Sequence, residues 1–193
     1  FSVNINGRVC LDAGISTGGF TDCLLKNGAT QVYGIDVGYG QTAWSLRNDP
    51  RVVLRERTNL RRLKPEDLYS SKDSRPSLAV ADLSFISLKI VLPSIKALLK
   101  PADAEAILLV KPQFEVGRHL VGRGGVVRDS KAHVEALISV VDASLKLKLF
   151  PKGLIASPIT GPAGNHEYLL WVGTDGEANY LPGIQELVTR TLS

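Results

Sequence analysis

Four apolar runs in this chain each end on a charged residue. Val9-Cys10-Leu11 runs into Asp12, Val32 to Ile35 into Asp36, Ser77 to Ala81 into Asp82, and Ala104 to Val110 into Lys111. If the runs are strands of an open α/β sheet, these residues collect at the carboxyl ends, where such sheets bind ligands. Glu167, two residues past Asn165 in a turn-rich stretch, is placed to join them. A lysine between carboxylates can be tuned as a base or a proton relay while the acids orient it. Asp82, Lys111 and Glu167 are therefore the candidate catalytic set. On spacing alone, Lys111 and Asp82 are equally consistent with a structural ion pair.

The stretch after Asp12 narrows the ligand. Gly14-Ile15-Ser16-Thr17-Gly18-Gly19-Phe20 reads as a tight loop entering a helix, the arrangement that holds a nucleotide-like cofactor. A phosphate cradle would place Lys after the glycines, and none follows. The dinucleotide pattern G-x-G-x-x-G is also missing, because Ser16 stands where its second glycine would be. Asp12 would repel a pyrophosphate but favour a ligand carrying an ammonium and a sulfonium, as S-adenosylmethionine does. Asp36 sits where a doubly wound fold binds ribose hydroxyls. Methyl transfer from a sulfonium is an in-line displacement that needs alignment and deprotonation of a weak nucleophile, and a ribose hydroxyl fits that need.

Positioning these groups requires a particular order of elements. Strands are expected over 8–12, 31–36, 51–54, 77–82, 104–110, 152–157 and 166–173. Helices are expected over 19–27, 41–48, 65–70, 87–99, 130–147 and 182–191, with Pro65 in a first turn and Pro93 as a kink. Residues 113–128 read as a long loop rich in glycine and arginine, long enough to be functional. Alternating strands and helices imply a parallel sheet covered on both faces. The short turn from Thr160 to Asn165 makes the last strand antiparallel. The expected fold is α/β: a Rossmann-like class I methyltransferase with seven strands, mostly parallel, the last reversed.

Composition sets wider bounds. The 193 residues suit one domain, 44% hydrophobic and 22% charged, so the chain should fold. A net charge of +4 is compatible with a polyanionic partner. Cys10 and Cys23 are expected as free buried thiols, and three histidines with two cysteines make no metal spacing. No run is long enough for a membrane helix. The lack of any methionine suggests a piece of a longer protein.

Several ordered motifs carry a family resemblance: LDAGISTGGFTDCLL, VYGIDVGYGQ, ERTNLR, ADLSFISL, LVKPQFE, VGRGGVVRD and SPITGPAGNHEYLLW. Together they resemble the hemolysin A (TlyA-type) family of ribosomal RNA 2′-O-methyltransferases, related to FtsJ/RrmJ-like enzymes. The resemblance implies a Lys-Asp-Lys-Glu catalytic set in which Asp82, Lys111 and Glu167 match the last three members. The first Lys it implies lies upstream of the cofactor loop, ahead of Phe1, next to an S4-like RNA-binding domain; Lys26 does not match it. The resemblance also implies that Asp12, Gly14, Ser16, Thr17, Gly18, Gly19 and Phe20 surround S-adenosylmethionine, with Asp36 on the ribose and Asp82 bordering the site. Glu56 and Asn59 are candidates near the adenine, or else solvated loop residues.

Ribosomal RNA or a ribosomal subunit is the implied partner, in the cytoplasm. Phosphate contacts need positive charge on long stems, which Arg55, Arg57, Arg61, Arg62 and Lys64 supply on one side and Arg118, His119, Arg123 and Arg128 in the long loop. Phe114 can stack on a base. His133 and His166 read as ordinary helix-surface and strand positions. The competing readings are a cofactor-binding but catalytically incomplete fragment, or a membrane-active hemolysin, for which no basic amphipathic helix stands out.

Overall fold

A computed structural model describes residues 1–177 and 183–193. Seven strands form one sheet: β1 (Val9–Ala13), β2 (Gln31–Ile35), β3 (Val52–Arg55), β4 (Leu78–Ala81), β5 (Glu105–Val110), β6 (Phe150–Ala156) and β7 (Tyr168–Gly173). Their order across the sheet is β3-β2-β1-β4-β5-β7-β6. β1 to β5 pair in parallel, and β7 runs antiparallel to both neighbours, as a short turn between β6 and β7 requires. The order reverses beside β1, so the carboxyl ends of β1 and β4 flank the crevice where a doubly wound sheet takes its ligand.

The helices are α1 (Gly19–Lys26), α2 (Trp44–Arg47), α3 (Pro65–Leu68), α4 (Leu88–Leu98), α5 (Pro112–Glu115), α6 (Ser130–Lys146) and α7 (Ile184–Leu192). Alternation along β1 separates two cores: Cys10 faces Leu24, Leu25 and Leu46 of α1 and α2, while Leu11 faces the cluster built on α4, α6 and α7. Pro93 lies inside α4, which continues through it as one helix, starting at Ser87, whose hydroxyl accepts from Lys89 N.

The differences from the expected elements have local causes. The helix expected over 41–48 is a single turn, because residues 37–43 are pulled onto the neighbouring loops: Ala43 N donates to Thr17 O and Thr42 Oγ1 to Ser16 O. The loop expected over 113–128 contains α5 and two 3-10 turns, Arg118–Leu120 and Arg123–Gly125. Cys10 is buried, but Cys23 is exposed on the outer side of α1. His133 is not on a helix surface: it is fully buried between α6 and β7. Pro182, the expected start of the last helix, lies outside the described residues.

Candidate active site

The loop after β1 is shaped by two glycines. Gly14 adopts φ +90 and lies so close to the Asp82 carbonyl that any Cβ there would collide with it. Gly18, at φ +105, presses against Leu46 in the same way. Between them Ser16 takes φ +48, and its amide donates to Asp36 Oδ2 at 2.8 Å. Asp36 Oδ1 accepts from Gly38 N at 2.7 Å, so its carboxylate is fixed at the tip of β2. A carboxylate has about four acceptor sites, and two remain.

These elements enclose a first cavity of about 470 Å³. Gly14, Ser16, Asp36, Asn59, Asp82 and Arg61 line it, together with Thr58 and Phe85. Asp12 lies beneath rather than on its wall, 1% exposed. Its Oδ2 accepts from Thr21 Oγ1 at 2.6 Å and its Oδ1 has no hydrogen-bond partner. Burial pushes the Asp12 carboxyl up to about 7, with the charges of Asp82 and Asp36 adding and the Thr21 hydrogen bond opposing. Thr17, Gly18, Gly19, Phe20 and Glu56 are not among the lining residues. Phe20, in the first turn of α1, is partly buried and packs against the core on that face of the sheet. Glu56 instead accepts from Arg47 at 2.5 Å and Gly40 N at 2.7 Å, bracing the loop after β2.

A second cavity of about 360 Å³ adjoins the first across Ser84 and Phe85, which line both. Lys111, Gln113, Phe114, Gly161 and Glu167 line it. Lys111, extended at φ −109 and ψ 101 ahead of Pro112, reaches back over the strand ends. Its Nζ is 2.5 Å from Asp82 Oδ1 at an angle outside hydrogen-bond geometry, and donates to Ser84 Oγ at 3.3 Å. Glu167 is buried and accepts from Gln113 Nε2 at 3.2 Å. Burial raises the Glu167 carboxyl, Lys111 draws it back, and Asp82 raises it again. The three expected catalytic residues therefore act on one another at the junction of the two cavities.

Phe85, 91% exposed and held at φ +65, packs its ring 5.3 Å from that of Phe114. A bulky residue in that backbone region marks a position the surroundings impose. Arg62 lies with Lys64 and Pro93 on a shallow groove beside Arg61, while Arg118, Arg123 and Arg128 are exposed on the segment covering the second cavity. Glu115 closes the LVKPQFE motif without an expected role: buried at the end of α5, it accepts from Ser87 Oγ at 2.6 Å and Leu88 N at 2.7 Å. Thr21 had a weak sequence signal, a hydroxyl in the first turn of the helix that follows Asp12.

The FtsJ-like methyltransferase family model matches residues 1–174. The chain is 50% identical over 194 positions to the 16S/23S rRNA (cytidine-2′-O)-methyltransferase TlyA of Mycobacterium tuberculosis, covering all of this chain and 70% of that protein. A solved structure from Streptococcus thermophilus that carries the name hemolysin superposes with a TM-score of 0.92 at 40% identity, covering 99% of this chain and 68% of that one. An S-adenosylmethionine-dependent methyltransferase from Listeria monocytogenes, 15% identical, shares the fold with a TM-score of 0.63, covering 90% of this chain and 93% of that one. The chain belongs to the FtsJ-like methyltransferase family.

Proposed function

We propose that this chain is the catalytic domain of an S-adenosylmethionine-dependent enzyme that methylates a ribose 2′-hydroxyl of ribosomal RNA. The observation that carries the reading is the pair of adjoining cavities with Lys111 and Asp82 at their junction. The relative acting on rRNA cytidine supports the acceptor, with half the residues identical across the whole chain.

The residues present fit the cofactor. The orphaned, buried Asp12 Oδ1 puts an acid under the loop, suited to a cationic group above it. The two free acceptor positions of Asp36 suit a pair of ribose hydroxyls, and Asn59 and Thr58, on the wall of the same cavity, would face the adenine. When bound, the cofactor supplies an electrophilic methyl group on a sulfonium.

Lys111 presents its Nζ to the acceptor hydroxyl and orients the oxygen. A rotation of the Lys111 ammonium, 2.5 Å from Asp82, aligns one of its protons with that carboxylate, and Lys111 passes it there as it takes the proton of the hydroxyl. Glu167, partly desolvated, lines the same cavity as Lys111 and is favoured in its charged form by that ammonium. Phe85 and Phe114 offer apolar ring surface to an unpaired base at the mouth of the second cavity. Among the described residues no helix is long and apolar enough to cross a membrane, and nothing in the geometry favours a hemolysin over an enzyme.

The test is methyl transfer from labelled S-adenosylmethionine to ribosomal RNA by the full protein, followed by digestion to nucleosides. Label is expected on ribose oxygen; label on a base would overturn the assignment.

A further inference from the structure

The turn that delivers Glu167 is fastened to the loop over the second cavity by one buried side chain. Asn165, 3% exposed, accepts from Val127 N at 3.0 Å through Oδ1 and donates to Gly125 O at 2.9 Å through Nδ2. His133 completes the attachment from beneath. Its Nε2 donates to Val127 O at 2.9 Å, a carbonyl being only an acceptor, so its Nδ1 accepts from the Tyr168 hydroxyl at 2.9 Å. Burial lowers the His133 pKa, which favours this neutral form.

Besides this fastening, the loop is held by the buried Val127 side chain and by its own turns. Gly124 and Gly125 adopt φ +77 and +79, and the local turn adds Gly122 N to Val126 O and Gly125 N to Gly122 O. Arg118, Arg123 and Arg128 show no side-chain hydrogen bond or ion pair among the described residues. On the other side, Asn165 O accepts from Gly161 N at 2.9 Å. Gly161 is packed so tightly on Glu167 that a Cβ there would lie 2.8 Å from Glu167 Oε1. A displacement of Asn165 is therefore passed to Glu167 through Gly161 and through His166, the one residue of chain between them.

We infer that Asn165, backed by His133, is a positioning residue that couples the loop over 117–128 to Glu167, so that RNA seated on the loop arginines sets the acceptor side of the catalytic group. This rests on the rRNA reading only for what occupies the loop; the fastening itself is independent of RNA.

The experiment uses the full protein. Asn165→Ala is expected to lower kcat for methyl transfer to ribosomal RNA by about 10- to 100-fold, the scale of a misplaced catalytic group. S-adenosylmethionine affinity should stay unchanged, and hydrogen exchange at the Val127 amide should rise without RNA present. Asn165→Asp keeps the bond from Val127 and loses the one to Gly125, so it should show the same changes at smaller size. If Asn165→Ala fails to fold, that variant carries the test. Combined with Arg118→Ala, Arg123→Ala and Arg128→Ala, the Asn165 effect should shrink well below additivity.

Wild-type kcat, unaltered exchange at Val127, or full additivity with the arginines would each overturn the coupling. If the wild-type protein itself transferred no methyl group to ribosomal RNA, the functional reading would fall. Exchange at Val127 would still decide the fastening.

Discussion

The two ends of the sheet are built on opposite principles. At the amino end, Glu105 accepts from Arg8 at 2.6 Å, Lys152 at 3.1 Å and the Trp171 ring nitrogen at 3.0 Å, and Arg8 also holds Ser77. Lys152 continues to Asp175 at 3.0 Å and Phe1 packs on Trp171. Glu105 is thereby matched by two cations. At the carboxyl end, Asp12 Oδ1 lacks a hydrogen-bond donor, Ser16 and Phe85 hold positive φ, and two cavities open side by side. The amino end has positive-φ residues of its own, Asp103 and Lys148, and an unpartnered Arg75 Nε; what sets the carboxyl end apart is a buried carboxylate, Asp12, whose neighbouring charges are the acids Asp82 and Asp36.

That contrast can be broken residue by residue. The largest effect is expected at Asp82: Asp82→Ala should cost on the order of 10²–10⁴ in rate, and adding Lys111→Ala should cost little more, since the pair acts as a unit. Steady-state methyl transfer by the two single variants and the double variant checks this.

Asp12 gives the next largest effect, on stability. Its folded pKa of about 7 lies above the ordinary 3.8, so the folded state holds a proton that the unfolded state releases. The protein should therefore lose stability as pH rises from about 4 to about 7, by roughly 4 kcal/mol at most. Asp12→Asn keeps an acceptor for Thr21 and removes that penalty. Urea unfolding at pH 5 and pH 8 should show the variant more stable at pH 8 and flatter across the window. Equal pH dependence in variant and wild type would contradict the burial argument.

At the other end the sign reverses. Glu105→Ala strips partners from Arg8, Lys152 and Trp171, and should destabilise the protein by about 1–3 kcal/mol while folded molecules keep their turnover. Asp36→Ala should weaken S-adenosylmethionine binding by about 1–3 kcal/mol, read by calorimetry, with less effect on unfolding than Glu105→Ala because it lines an open cavity.

Much of the carboxyl end was legible because its signals are local. An apolar run closing on an acid marks both a strand and its tip, and Asp12, Asp36 and Asp82 stand out in this way. Pro112 restricts the backbone of Lys111 directly. What escaped depends on contacts distant in sequence. His133 looked like a surface position because its burial comes from Tyr168 and Val127, and Glu115 is explained only by Ser87 and Leu88 on another element. Residues 17–20 are expected around the cofactor from their motif; the structure adds that Gly18 packs on Leu46 of α2 and that Phe20 lies partly buried against the core, contacts that a motif does not reveal. The matched charges of the amino end were invisible for the same reason: Arg8, Glu105 and Lys152 meet only once the sheet has formed.

The central claim is that the Lys111 ammonium, not the cavity around it, performs the acceptor chemistry. The most direct measurement is methyl transfer to ribosomal RNA by Lys111→Ala at saturating S-adenosylmethionine and RNA, with cofactor binding measured on the same preparation. A loss on the order of 10²–10⁴ in kcat with cofactor affinity retained is predicted. Wild-type turnover from that variant would contradict the account and leave Lys111 and Asp82 as a structural ion pair.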